Sequence, residues 1–490
     1  MTNTRKSGIL LHITSLPNQF GIGDMGSSAY RFIDFLYASK QRLWQILPLG
    51  PTDFYASPYT PYSAFAGNHY LVSPKQLIEE GLLLEQDIQS TQPDQCIWKE
   101  DLLTKSHERF MQTDSAALQR DYETFCSSNS FWLQDYALFM SLKAHFSNAP
   151  WIQWPNDIAN RCPKAVAYWL EKLSLQIQRH QFNQFIFYRQ WCELKTYAQK
   201  KGITIIGDIP IFVAYNSADV WANPHLFLLD DNKYPLAVAG VPPDYFSKTG
   251  QLWGNPLYNW QAHNAEEYNW WIMRFTTLLK FVDIIRIDHF RGFESYWQIP
   301  FGEKTAVNGQ WQPGPGSEFF KIVQNELGYL PFIAEDLGFI DNKVIELRDT
   351  WNLPGMRVLQ FAFENLQPNS HSPHEHTKDS VVYTGTHDND TTVGWYQNAN
   401  SKIKKYTRQY IGTDGRDIAW DFIRLALASP AYLAVIPLQD ILSLDSTARM
   451  NIPGTTAGNW RWRYCETSLK EQIVNRLSEL TVLYGRYDIQ

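Results

Sequence analysis

Phe182-Asn-Gln-Phe-Ile-Phe-Tyr-Arg-Gln-Trp-Cys-Glu-Leu-Lys-Thr-Tyr-Ala-Gln-Lys200-Lys-Gly202-Ile-Thr-Ile-Ile-Gly-Asp208-Ile-Pro210 changes character at one glycine. Before Gly202 the apolar residues recur at helical spacing. Lys200 and Lys201 followed by Gly202 form a helix stop, with cations at the negative end of the helix dipole and a glycine free to turn the chain. After it, Ile203-Thr-Ile-Ile is apolar without alternation, the composition of a strand covered on both faces. A helix that leads directly into a doubly covered strand is the unit of a parallel α/β sheet.

The same plan extends in both directions. Ile9–Thr14, Leu43–Pro48, Ile203–Pro210, Val282–Asp288, Phe332–Glu335, Arg357–Phe363, Val381–Thr386 and Tyr432–Pro437 all read as strands separated by helical patterning. This predicts the α/β class and a (β/α)8 TIM barrel. A bare barrel needs about 250 residues, and the chain has 490, so large insertions are expected at the C-terminal face of the strands. One spans 51–202, between strands two and three, and begins as a Pro/Tyr/Ser-rich loop before turning helical. A second, at 214–260, reads as loops that cover the substrate. Neither is bounded by a linker, so residues 1–490 read as a single catalytic domain with decorations.

Bulk properties narrow the function. A net charge of −7 and a pI near 6.0 argue against nucleic acid or an anionic membrane as partner, because both attract basic proteins. No run approaches the roughly 20 apolar residues that span a bilayer, and the short apolar segment at Gly8–Ile13 is no signal peptide. The five cysteines are scattered, without metal-ligand spacing or a dense disulfide framework, as expected of reduced thiols in the cytoplasm. Aromatic residues make up 15% of the chain, with 19 Trp. Most would serve the core, but several lie in Gly/Pro/Asn-rich stretches, where a ring offers a flat apolar face to a sugar.

The sharpest feature is the placement of acids. Asp208, Asp288, Glu335 and Asp388 each follow or end an apolar run, and the C-terminal strand ends of a parallel barrel meet at the face that carries active sites. One such acid is commonplace as a cap or turn residue. Four on different strands repel one another and contribute little to structure alone. Retaining glycoside cleavage uses two of them, one as nucleophile and one as proton donor. Arg286 stands two residues before Asp288, so both face the barrel interior, and the cation is expected to keep Asp288 ionised. Glu335, beside Ala334 and other acids, is expected to have a raised pKa from desolvation and like charge, as suits a donor. Asp336 is expected to point away or to begin the loop.

These strand-end segments resemble the four conserved regions of the α-amylase-like enzymes: Gly207-Asp208-Ile-Pro210 with Ser217-Ala-Asp-Val-Trp221, Arg286-Ile-Asp-His-Phe-Arg-Gly292, Ala334-Glu-Asp-Leu-Gly338, and Thr386-His-Asp-Asn389. Three longer segments resemble more specifically the amylomaltase, or disproportionating-enzyme, family of 4-α-glucanotransferases. They are Ser63-Ala-Phe-Ala-Gly-Asn68; Gly240-Val-Pro-Pro-Asp-Tyr-Phe-Ser247 with Gly250-Gln-Leu-Trp-Gly-Asn-Pro-Leu-Tyr258; and Met450-Asn-Ile-Pro-Gly454 with Gly458-Asn-Trp460.

The resemblance implies transfer between α-1,4-glucans, with malto-oligosaccharides, starch- or glycogen-type chains and glucose as partners. It implies Asp288 as nucleophile, Glu335 as general acid/base and Asp388 as a donor-sugar ligand. It also implies substrate contacts at Tyr59, Ser57, Asp208, Asp244, Gln251, Trp253, Arg286, His289, His387 and Asn459, with no metal, no organic cofactor and no C-terminal β-sandwich. The sequence departs from the common family pattern at Asn216 and at Pro61. The competing readings are an α-amylase-like hydrolase, in which water resolves the same intermediate, and a glucan-binding barrel without activity. A metal-dependent proton-abstracting barrel enzyme is a further one. The oligomeric state is not legible.

Overall fold

The computed structural model describes residues 4–52, 56–89, 95–243, 247–455 and 457–487. In chain order the strands are β1 (Lys6–Leu10), β2 (Leu43–Gln45), β3 (Thr204–Pro210), β4 (Ala237–Val241), β5 (Gln251–Pro256), β6 (Ile284–Asp288), β7 (Ser295–Pro300), β8 (Gln310–Pro313), β9 (Phe332–Ala334), β10 (Gly355–Val358), β11 (Ser380–Tyr383) and β12 (Leu433–Pro437). Eight of them, β1-β2-β3-β6-β9-β10-β11-β12, close into a barrel, and its pairings are parallel throughout.

The strands are short and apolar because they are covered on both sides. Leu10, Leu43, Ile206, Ile333, Met356, Val358, Val381, Tyr383, Leu433 and Val435 fill the interior, while alternate residues such as Ile9, Trp44, Ile205 and Ile285 pack against the surrounding helices. The same period of two puts Asp208 in line with Ile206, Asp288 in line with Arg286, and Glu335 in line with Ile333, so the acids cap the interior. The helix read from Phe182 onward spans Ser174–Lys200, and Gly202 turns the chain at φ 68°. The Lys195 ammonium of this helix donates to the carbonyls of Leu279, Lys280 and Val282, capping the end of the helix Asn269–Phe281 that leads into β6.

Several strands end earlier than the sequence reading: β2 stops at Gln45 rather than Pro48 and β11 at Tyr383 rather than Thr386. β1 ends at Leu10, and Ile13–Ser15 is a 3-10 turn. β10 is Gly355–Val358, and Leu359–Ala362 form a 3-10 turn rather than the strand expected over Arg357–Phe363. Leu359 and Ala362 are buried, and a short buried apolar run has the same composition in either conformation.

Helices fill the stretch between β2 and β3, the longest being Gln95–Met111, Ser130–His145 and Ser174–Lys200. The stretch 214–260, read as loops, contains β4 and β5. They join β7 and β8, from beyond β6, in a four-stranded antiparallel sheet of order β5-β4-β7-β8. Two excursions that flank β6 in sequence thus build one sheet beside the strand carrying Asp288. None of the described helices is long and apolar enough to cross a membrane.

Candidate active site

The floor of the site is a buried charge cluster. Arg286 Nη1 donates to both carboxylate oxygens of Asp208 at 2.8 Å and to Asp288 Oδ1 at 2.9 Å. The parallel register of β3 and β6 sets Asp208 beside Arg286, so the ion pair follows from strand pairing alone. The Tyr59 hydroxyl donates to Asp208 Oδ2 at 2.7 Å. Burial, followed by the Asp208 charge, raises the Tyr59 phenol well above its usual pKa, so it stays a donor. The carboxylates around Arg286 outweigh its burial and raise its pKa further, keeping it a permanent cation.

Glu335 is held from behind. Its Oε2 accepts the His289 backbone N–H at 2.7 Å and its Oε1 accepts that of Leu337 at 2.8 Å. His289 lies in the left-handed region at φ 52°, which is uncommon for a residue with a side chain. In that conformation its N–H reaches Glu335. Burial pushes the Glu335 carboxyl up to about 8, against the pull of Arg286 and with the Asp288 charge adding to the rise. Asp288 is pushed up to about 6, also by burial first, with Arg286 opposing. Arg286, expected to favour the ionised form of Asp288, acts in that direction against the larger effect of desolvation. The order survives, since Asp288 gives up its proton before Glu335.

The wall opposite is made by loops. His387 stacks on Tyr59 with ring centroids 5.1 Å apart and planes 15° from parallel, and its Nε2 lies 3.4 Å from Asp388 Oδ1. Asp388 Oδ1 also accepts from Asn451 Nδ2 at 2.7 Å, and the Asp388 carbonyl accepts from Arg449 Nη2 at 2.6 Å. Asn451 and Arg449 were not assigned a role from sequence; the Met450-Asn-Ile-Pro signature was the available signal. Trp460 flanks both Tyr59 and His387, at 5.9 and 6.0 Å.

The remaining residues lie further from the acids or serve the scaffold. Ser57 Oγ accepts the Tyr59 N–H at 3.2 Å, which fixes the turn that presents Tyr59. Trp253, on β5 rather than on a loop, meets the His289 ring edge-on at 4.8 Å and donates to Gln251 Oε1 at 3.1 Å. The His289 ring is buried and its pKa is lowered to about 4, by burial and then by Arg291. Among the described residues its Nε2 has no partner.

Asn459 Oδ1 accepts from Ile452 N–H at 3.0 Å, and its amide donates to Thr455, so its side chain organises its own loop. Asp244 lies outside the described residues. Asp336, expected to point away, accepts from Arg348 and from the Met356 N–H, behind the barrel strands. Among the described residues no group of three or more His, Cys, Asp or Glu is placed to hold a metal ion.

Comparison with known proteins identifies the family. A family model described as 4-alpha-glucanotransferase, glycoside hydrolase family 77, matches residues 11–468. A 4-alpha-glucanotransferase of Synechocystis sp. is 51% identical, with 99% of each chain covered. One from Thermus thermophilus is 44% identical over 96% of this chain and 97% of its own. The solved amylomaltase from Streptococcus agalactiae in complex with acarbose superposes with a TM-score of 0.95 at 40% identity, covering 99% of this chain and all of that one. With the family model matching most of its length and close relatives spanning nearly all of it, the chain belongs to the 4-α-glucanotransferase family of enzymes.

Proposed function

We propose that the chain moves a segment of an α-1,4-glucan to the 4-hydroxyl of another glucan, or of glucose, by double displacement at Asp288. An Asp288 oxygen forms a bond to the anomeric carbon as the glycosidic C1–O bond breaks, and Glu335 gives its proton to the departing 4-oxygen. Glu335, now a carboxylate, takes the proton from the acceptor's 4-hydroxyl as that oxygen attacks C1 and the Asp288 ester bond breaks. The observation that carries this assignment is the unequal environment of the two acids. Asp288 is paired to Arg286, while Glu335 is buried and held protonated to a higher pH.

Arg286 and Asp208 orient the nucleophile. Asp388 and His387 take hydroxyls of the donor sugar, and Trp253 with Gln251 takes the acceptor side. Ser57, Asp244, His289 and Asn459 complete the substrate contacts by family resemblance, Ser57 and Asn459 also through the loops they hold. The acarbose in the Streptococcus agalactiae relative supports malto-oligosaccharides as ligands. Starch- or glycogen-type chains follow as longer donors, and the cytoplasm is the proposed location, in line with five free cysteines. No cofactor enters the scheme.

Incubation of the protein with maltotriose tests the proposal. Glucose together with a ladder of longer malto-oligosaccharides is expected. Glucose and maltose alone would mean that water resolves the intermediate and would replace transfer by hydrolysis.

A further inference from the structure

A cavity of about 260 Å³ is lined by none of the clustered acids of the active site. It lies where the helix Ser130–His145 meets the helices Ala218–Ala222 and Asn269–Phe281. Two features of its lining select a ligand. The first is aromatic: Phe65 packs edge-on to Phe131 and Trp270, at 5.5 and 5.8 Å, and parallel to Trp132 at 6.4 Å. Phe131 is 42% exposed, unusual for a phenylalanine on a packed helix. Buried Trp270 keeps an indole N–H with no partner among the described residues.

The second feature is charge. Asp135, Asp219 and Glu266 line the cavity, and no Lys, Arg or His does. This rejects phosphates, nucleotides and other anions. Each of these acids already has a partner: Arg161 on Asp135 at 2.7 Å, His225 on Glu266 at 2.9 Å, and the Ala64 N–H on Asp219 at 2.8 Å. They demand no further cation, but each retains capacity to accept a hydroxyl hydrogen. Flat apolar rings beside carboxylates that accept hydroxyls are the complement of a neutral sugar, whose C–H face stacks and whose rim donates.

We propose that this cavity is a second sugar site, which takes a glucosyl unit of a malto-oligosaccharide while the cleft holds another. The proposal rests on the α-glucan reading of the cleft. It also gives a purpose to the Ser217-Ala-Asp-Val-Trp221 segment, which the catalytic cluster does not use. Asp219 and Ala218 tie the cavity to the loop that presents Tyr59, through Ala64 N–H and through the Ala218 N–H donated to the Tyr62 carbonyl at 2.8 Å. The occupied cavity therefore braces the base of the loop whose tip reaches Asp208.

The test is calorimetric titration of the full-length Asp288→Asn protein, which cannot turn over, with maltotriose. One sugar is expected to bind beyond those held by the cleft. Phe131→Ala, at an exposed position, is expected to weaken that event by about five- to tenfold. Asn269→Trp, which plugs the mouth from an exposed helix start, is expected to lower the stoichiometry by one. A stoichiometry and affinities indifferent to both substitutions would overturn the second site and leave the cleft intact. No event at all would overturn the α-glucan reading together with it.

Discussion

The floor of the cleft and its rim hold their acids in different ways. At the floor, Asp208 and Arg286 have side chains only 0% and 5% exposed, sit on paired strands, and are joined by two 2.8 Å contacts. At the rim, Asp388 is 48% exposed and depends on Asn451 and Arg449, which reach it from a loop more than sixty positions away. The floor is fixed by register, so its geometry cannot shift without disturbing the barrel. The rim is fixed by a few side-chain bonds, so its geometry can be retuned while the fold stays whole. Chemistry common to a family belongs on the first kind of support, and preference for chain length on the second.

The largest effect should follow from breaking the floor. Arg286→Met leaves Asp208 buried without its cation, a loss of about 3–5 kcal/mol. It should lower the thermal midpoint as well as abolish transfer; an unchanged midpoint would mean that the floor is no more rigid than the rim. Next comes Glu335→Gln, expected to reduce the kcat for maltotriose about a thousandfold with the fold unaltered.

The pH profile sharpens the same point. Activity needs Asp288 ionised and Glu335 protonated. Rates should therefore fall as pH drops through about 6, where Asp288 takes up a proton, and fall again as pH rises through about 8, where Glu335 loses one. The two limbs belong to the coupled pair, and a flat profile across both would break the assignment. At the rim, Asn451→Ala should raise KM by about tenfold, the worth of one hydrogen bond to a charged group, with the midpoint held. Smallest is Trp253→Ala: a change of about three- to fivefold in KM for long acceptors, with more hydrolysis product and no change in the pH limbs. A rim substitution that lowered the thermal midpoint as far as Arg286→Met would erase the distinction.

The same contrast governs how much was legible in the sequence. Strands covered on both faces must be nearly continuous in apolar residues, so all eight barrel strands stood out, and the acids at their ends with them. The antiparallel sheet did not. β5, Gln251-Leu-Trp-Gly-Asn-Pro256, has its first four residues exposed and carries Gly and Pro, so neither alternation nor a continuous run marks it. β7 and β8 lie beyond β6, and only tertiary pairing unites them with β4. The Asn451–Asp388 bond was hidden for the same reason, since it joins two loops with no periodic signal. At Asp288 the sequence showed the neighbouring cation but not the desolvation that opposes it.

The closure of the barrel has a consequence for how the protein is made. β1 is paired on one side to β2 and on the other to β12, from Lys6 opposite Leu433 to Leu10 opposite Pro437. Buried Arg486 stitches the same seam, donating to the carbonyls of Lys6, Leu427 and Ser429. During synthesis β1 emerges early, but its second partner leaves the ribosome only some four hundred residues later, roughly tens of seconds at ordinary elongation rates. Throughout that interval the growing sheet has two open edges with unpaired N–H and C=O groups, a template for joining other chains. No truncated product that stops short of β12 can close the barrel that holds the acids together.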